Sequence, residues 1–317
     1  MNIGFYFYSK QFNGNRFFTE TSFLESDDMT HALYLFGQYL QKKGHHVSTI
    51  DMAENIANYD SIVFFEFPTF GNEYFKHLLD IQFMNLYLVL MENEMVRPGN
   101  IVANHQYFKK IGTWNDDFID NIKYFKINYA YRKPESLNFD LSRKEKFCTL
   151  INSHKLSNAP MELYSERICA IQWFEQNYPK DFDLYGRGWD FQKYPSYKGA
   201  ILSKKEIFQK YKFSICYENA KDFPGYITEK IFDCFIAGCI PVYYGAPNIL
   251  KHIPANTFID KRNFKTYDEL YKYIKNIPQN EYINYLDSIK NFFISNKSYS
   301  FSPEYMIDIL ANKILGL

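Results

Sequence analysis

Short, nearly unbroken apolar runs recur along this chain, each followed by a stretch with helical spacing. That alternation restricts the fold more than any other feature of the sequence. Ile62–Phe65 and Leu86–Met91 carry no polar residue at alternate positions. Such runs suit strands covered on both faces, whereas a sheet with one wet face alternates. Between them, Ala32, Leu33, Phe36, Tyr39 and Leu40 fall on one helical face of Met29–Lys43, and Gly44 can end that helix. Strand–helix alternation of this kind predicts an α/β fold built on parallel sheet.

The pattern runs through the first half in strands at Ile3–Tyr8, Val47–Ile50, Ile62–Phe65 and Leu86–Met91, with a second helix near Tyr74–Ile81. Tyr129–Lys146 has Pro134, several charges and no period, and reads as a crossover. The pattern then restarts. Phe147–Ile151, Phe182–Tyr185, Phe213–Tyr217 and Ile240–Tyr244 read as strands; Leu163–Phe174, Lys204–Tyr211, Thr228–Ala237 and the amphipathic Pro303–Leu315 read as helices. A chain of 317 residues suits two domains. The expected division is 1–140, 141–302 and a terminal helix, 303–317, packing back on the first domain. No sequence repeat links the halves, so they would be alike in architecture only.

Charge and composition exclude several classes. Basic and acidic residues number 36 each, so nothing in the charge balance argues for an electrostatic nucleic-acid footprint. Pairs such as Lys109-Lys110 and Lys204-Lys205 read as solvated surface. Aromatic residues make up 20% of the chain, which base composition explains as readily as sugar stacking. Cys148, Cys169, Cys216, Cys234 and Cys239 include no CxxC pair and mostly sit among apolar residues, which suits reduced, structural thiols. The opening residues show no basic n-region, and no apolar run nears the ~18 residues of a membrane span. A cytoplasmic protein is expected, with peripheral contact at the inner membrane face if its acceptor is lipid-linked. No HExxH, GxGxxG or phosphate-loop lysine motif occurs, and Asp27-Asp28 and Asp116-Asp117 lack the Asp-x-Asp spacing of metal-dependent sugar transfer. No obligatory metal is expected.

The densest signal runs from Phe213 to Gly245. A strand ends in Tyr217-Glu218-Asn219; a turn-rich loop leads to Tyr226-Ile227-Thr228-Glu229-Lys230-Ile231; Gly238 stops the helix before Cys239-Ile240-Pro241-Val242-Tyr243-Tyr244-Gly245. Ligands of open α/β sheets sit where strands end and helices begin. Helix N-termini favour anions, and Lys230 would strengthen a diphosphate site. Glu229 cannot bind phosphate but suits ribose hydroxyls. The plainer reading makes Thr228 a cap, Glu229 a good first-turn residue and Lys230 a solvated neighbour. Spacing alone leaves both open. In two further features the residues alone favour the structural reading over the functional one. Arg167 shares an apolar helix stripe with Leu163, Ile171 and Phe174, as an anion ligand, a structural ion pair or a snorkelling side chain. Glu92-Asn93-Glu94 follows the strand Leu86–Met91, as a general base or as a polar cap with Glu94 paired to Arg97.

These motifs resemble the α-1,3/1,4-fucosyltransferase family, whose donor signature is aromatic-Glu-Asn, a short loop, Tyr-[Val/Ile]-Thr-Glu-Lys-Ile and Gly-x-[Ile/Val]-Pro-Val-x-x-Gly. Ala246-Pro247-Asn248-Ile249 and Ile253-Pro254 continue the match, and Thr113-Trp114-Asn115-Asp116-Asp117 is similar to a stretch of bacterial relatives. The resemblance implies two Rossmann-like domains facing each other across a cleft, the GT-B-type glycosyltransferase architecture, with the donor held by the C-terminal one. It implies inverting transfer of L-fucose from GDP-β-L-fucose to a glycan hydroxyl, such as the 3-position of GlcNAc or Glc in a surface-glycan or lipopolysaccharide precursor. Asn219, Tyr226, Glu229 and Lys230 match donor-binding positions, Arg167 a diphosphate ligand and Glu92 the catalytic base. Glu94, Arg187, Glu218 and Thr228 are secondary candidates. Stimulation by Mn²⁺ is compatible with the family. Ala220 stands where the family has Ser or Thr, and the loop to Tyr226 is one residue longer. Another GDP-sugar donor is therefore an alternative, and a non-catalytic nucleotide-sugar or glycan binder a more distant one.

Overall fold

The computed structural model describes residues 1–19, 28–134 and 136–317; Asp27, of the Asp27-Asp28 pair, lies outside them. The chain divides into two compact units, Met1–Arg132 with Tyr299–Leu317, and Lys133–Ser298.

The first unit holds six parallel strands: β1 (Asn2–Phe7), β2 (His46–Thr49), β3 (Ser61–Phe65), β4 (Leu86–Leu90), β5 (Lys110–Thr113) and β6 (Tyr124–Lys126). Their order is β2-β1-β3-β4-β5-β6. Every residue of β3 and β4 is buried, which is why their sequences do not alternate. Helix α1 (Asp28–Lys42) lies between β1 and β2, and α2 (Glu73–Asp80) between β3 and β4. Asn72 caps α2 by accepting from Phe75 N at 2.9 Å. Strands β5 and β6 are short and carry polar residues, so no apolar run marks them in the sequence.

The second unit holds five parallel strands: β7 (Lys146–Ile151), β8 (Phe182–Tyr185), β9 (Tyr211–Tyr217), β10 (Ile240–Tyr244) and β11 (Ile259–Asp260). They run in the order β8-β7-β9-β10-β11. Counted from its own first strand, each unit therefore begins 2-1-3-4-5. Its helices are α3 (Tyr164–Asn177), α4 (Lys204–Phe208), α5 (Glu229–Ile236), α6 (Ile249–His252), α7 (Tyr267–Lys275), α8 (Gln279–Ile294) and α9 (Asn296–Tyr299). The helix expected at Lys204–Tyr211 ends early because Tyr211 is the first residue of β9, where it pairs with Lys146 and bonds Asp183 through its hydroxyl at 2.6 Å.

The last turns, α10 (Pro303–Asp308) and a π-helical segment Ile309–Leu315, belong to the first unit. Phe301 O accepts from Tyr131 N at 3.0 Å, and Lys110 Nζ reaches Lys313 O at 2.6 Å. All five cysteines are free thiols; Cys169 is exposed and the other four are buried. No described helix is long and apolar enough to cross a membrane.

Candidate active site

In a parallel sheet with this order, the sense in which successive strands are added reverses between the first and third strands, and ligands bind beyond the carboxyl ends there. In the second unit that point lies between β7 and β9. The sequence carried by β9 past its end is Glu218-Asn219, and both are buried.

Glu218 is fully buried and organises the entry to α5. Its Oε1 accepts from Thr228 N at 2.8 Å and its Oε2 from the Thr228 hydroxyl at 2.6 Å. Lys230 Nζ donates to the same hydroxyl oxygen at 2.8 Å and stands 3.3 Å from Glu218 Oε2. Thr228 is the N-cap residue of α5, yet its side chain caps no helix amide, contrary to the expected cap. The hydroxyl instead donates to the buried carboxylate, and its oxygen accepts from Lys230 in place of a helix amide. The outcome is a helix N-terminus with an ammonium fixed beside it, a combination that favours anions.

Glu229 lies 3.6 Å from Lys230 Nζ and 3.9 Å from Lys204 Nζ. Burial works to raise its carboxyl, but Lys230 and then Lys204 outweigh it and hold the group at about 2. Lys204 also pairs with Asp233 at 2.7 Å. Its side chain is only 23% exposed, so it is not the solvated surface lysine expected from sequence. It caps this cluster because α4 and α5 pack together. A shallow hollow lined by Ile151, Asn152, Lys204, Lys230, Asp233 and Cys234 opens here.

Arg167 is 2% exposed on α3. The apolar stripe holds, since Leu163, Ile171 and Phe174 are buried with it. The guanidinium does not snorkel. Its NH2 nitrogen donates to Tyr217 O and Glu218 O at 2.7 Å each and to Asn219 Oδ1 at 3.1 Å, while its Nε has no hydrogen-bond partner. Burial lowers its proton affinity, against the pull of Tyr164 and Glu218. Asn219 Nδ2 reaches the hydroxyl of Tyr226 at 3.4 Å, and Tyr226 is wholly buried. Arg167, Glu218, Asn219, Tyr226, Thr228, Glu229 and Lys230 thus form one connected group. Arg187 is outside this hydrogen-bonded group, exposed in the turn after β8 between Gly186 and Gly188, its carbonyl accepting from His154 N at 2.8 Å.

Glu92 and Glu94 lie beyond β4 in the first unit, Glu92 half-buried and Glu94 exposed. Arg97 does not brace Glu94; its guanidinium sits 3.4 Å from the centre of the Tyr8 ring. Sequence reasoning missed Glu66, at the tip of β3. It is 2% exposed, its Oε1 accepts from Glu92 N at 2.8 Å, and its side chain is bonded by Asn100 Nδ2. Burial, with Glu92 adding, pushes its carboxyl up to about 8 against the hydrogen bonds from Asn100, Glu92 and Met91. The available signal was a lone acidic residue closing the apolar run Ser61–Phe65.

Residues 141–305 match the model of the C-terminal part of glycosyltransferase family 10 (fucosyltransferase). The chain belongs to glycosyltransferase family 10. It is similar to the α-(1,3)-fucosyltransferase FucT of Helicobacter pylori, 34% identical over 122 residues that cover 35% of this chain and 25% of that protein. It is also similar to the human 4-galactosyl-N-acetylglucosaminide 3-α-L-fucosyltransferase 9, 29% identical over 164 residues, 50% of this chain and 41% of that one. The alignments therefore span less than half the length of these relatives. Among solved structures, that of an α1,3-fucosyltransferase with GDP-fucose superposes with a TM-score of 0.58 at 15% identity, over 99% of this chain and 90% of that one. At that identity the match concerns the fold: two parallel-sheet α/β units of the GT-B type.

Proposed function

We propose that this family 10 member transfers L-fucose from GDP-β-L-fucose to a glycan hydroxyl with inversion. The observation that carries the reading is the group at the end of β9, where Glu218 and Thr228 fix Lys230 at the N-terminus of α5. The second unit would hold the donor. Lys230 and the helix terminus would take the diphosphate, and Glu229, kept ionised by Lys230 and Lys204, the ribose hydroxyls. Arg167 supplies its charge from behind the strand tip and orients Asn219, while Tyr226 acts through Asn219.

In the first unit Glu92 would act as general base. It takes the proton of the acceptor hydroxyl as that oxygen bonds to the anomeric carbon. The bond from that carbon to the phosphate oxygen breaks, and GDP leaves with the electron pair. One displacement on a β-linked donor yields an α-fucoside. Preorganised positive charge at the leaving group lowers the barrier without reorganisation during the reaction. No metal is required by this scheme, and Mn²⁺ would act as a stimulator. The relatives' names suggest 4-galactosyl-N-acetylglucosamine as the first acceptor to test; a lipid-linked surface-glycan precursor at the cytoplasmic membrane face is the physiological class proposed.

The test is transfer from a panel of GDP-sugars to 4-galactosyl-N-acetylglucosamine by the native chain and Glu92→Gln. GDP-fucose should be the preferred donor, and Glu92→Gln should slow transfer about 10²–10⁴-fold while nearly preserving GDP affinity. Preference for another GDP-sugar, which the altered Ala220–Gly225 loop would permit, replaces the donor. Full activity of Glu92→Gln removes the base.

A further inference from the structure

Glu66 follows β3 directly, with φ +68° and 2% exposure. Left-handed backbone is unfavourable for a residue with a Cβ, and burial is unfavourable for a carboxyl group. Such a residue persists where its surroundings over-determine it, and such places cluster at functional sites. Its partners define what it holds. Oε1 accepts from Met91 N at 3.1 Å and from Glu92 N at 2.8 Å, and Oε2 accepts from Asn100 Nδ2. Asn100 Nδ2 also donates to Glu92 O at 2.8 Å, while its Oδ1 accepts from Phe67 N at 3.0 Å. The Phe67 amide therefore fixes which end of the Asn100 amide faces Glu66. Both main-chain polar groups of Glu92 are tied, the N–H to Glu66 and the carbonyl to Asn100. Tyr129 adds a bond from its hydroxyl to Met91 O at 2.5 Å.

A strand tip without such ties would let the next side chain sweep a wide arc. We propose that Glu66 is a positioning residue for Glu92: its buried carboxyl locks the main chain at the end of β4 and so aims the base. The proposal rests on the reading of Glu92 as general base and adds the device that orients it. Asn100 is the second half of the same clamp.

Two measurements on the full chain test it. The first is amide exchange at Met91 and Glu92. In Glu66→Ala both should exchange about a hundredfold faster, while amides inside β4 keep their protection. The second is transfer from GDP-fucose to 4-galactosyl-N-acetylglucosamine. Glu66→Ala should lower kcat at least about tenfold with KM for GDP-fucose within about twofold, since misplacing a reacting group costs rate rather than donor binding. Glu66→Gln should recover part of kcat, because its amide oxygen still accepts from Met91 and Glu92 although its NH2 group then faces the Asn100 NH2. Unchanged exchange at the two amides in Glu66→Ala overturns the clamp. Equal loss of kcat in the Ala and Gln variants, or a loss confined to KM, overturns the positioning role. Full activity of Glu92→Gln instead rejects the base assignment, and that result is separable because the exchange measurement does not depend on it.

Discussion

Lys230 and Glu229 share one piece of electrostatics, so one substitution tests both. Lys230→Ala removes the cation nearest the proposed phosphate site and should weaken GDP binding by about 1.5–3 kcal/mol, the usual worth of a charge-assisted contact. Calorimetric titration checks this, and unchanged affinity removes Lys230 from the donor site. The same variant should alter acid stability. The Glu229 carboxyl, ordinarily near 4.5, is held at about 2 in the folded chain. A lowered carboxyl stabilises the fold above its unfolded value and loses that contribution as pH falls through its folded value. Without Lys230 the folded value rises, so acid unfolding should begin at higher pH. Arg167 calls for the opposite contrast. Arg167→Ala leaves Tyr217 O, Glu218 O and Asn219 Oδ1 without their shared donor and Glu218 with less compensating charge. Breaking a buried ionic group of this kind costs about 3–5 kcal/mol. A thermal midpoint equal to the native one would mean that the guanidinium is not structural.

Turns decide where the strands deliver these side chains. Gly186, after β8, has φ +129°, and a Cβ there would stand 2.0 Å from Asn152 O at the end of β7. A backbone atom cannot swing aside as a side chain can. Gly186→Ala should cost about 1–3 kcal/mol in backbone strain alone, with the clash added. Gly44→Ala is the control, since φ is +81° but nothing lies within 4 Å of its Cβ. Chemical denaturation should show the Gly186 variant as clearly the less stable. Equal losses at both positions would mean that the close approach of β7 and β8 is relaxed in solution. The Gly186-Arg187-Gly188 stretch is then a turn whose glycines are required by geometry, and Arg187 rides on it exposed.

Over the whole molecule, the chain's end completes the unit containing its beginning. Phe301, Met306, Leu310 and Ile314 are each at most 1% exposed, and Ile314 Cδ1 would lie 2.9 Å from a Cβ on Gly112 of β5. Burying each such side chain contributes about 1.5–3 kcal/mol, and four together rival the total stability of an ordinary domain. Removing residues 299–317 should therefore unfold the first unit. The second unit, whose core contains none of them, should remain folded and keep GDP affinity. A truncated chain with the native heat-absorption profile would contradict this.

The period of the apolar residues determined the α/β class, most of the central strands and helices, and the stretch between Phe213 and Gly245, because fully covered strands and capped helices write themselves into local sequence. The family resemblance of the motifs also pointed to Glu92, Arg167 and Lys230. Local sequence could not reveal β5 and β6, whose short polar-bearing runs become strands only by pairing, β5 with β4 and β6 with β5, nor Lys204, whose neighbours Glu229 and Asp233 reach it only when α4 packs on α5. Thr228 shows the same limit at one atom: its hydroxyl is a good cap in isolation, and only the fold brings up the buried Glu218, to which it turns as a donor. Glu66 shows it most plainly. A buried, left-handed glutamate has unfavourable local energetics on both counts, and its reason lies 25 and 34 residues away, in Met91 and Asn100, which tertiary structure alone brings to its carboxyl.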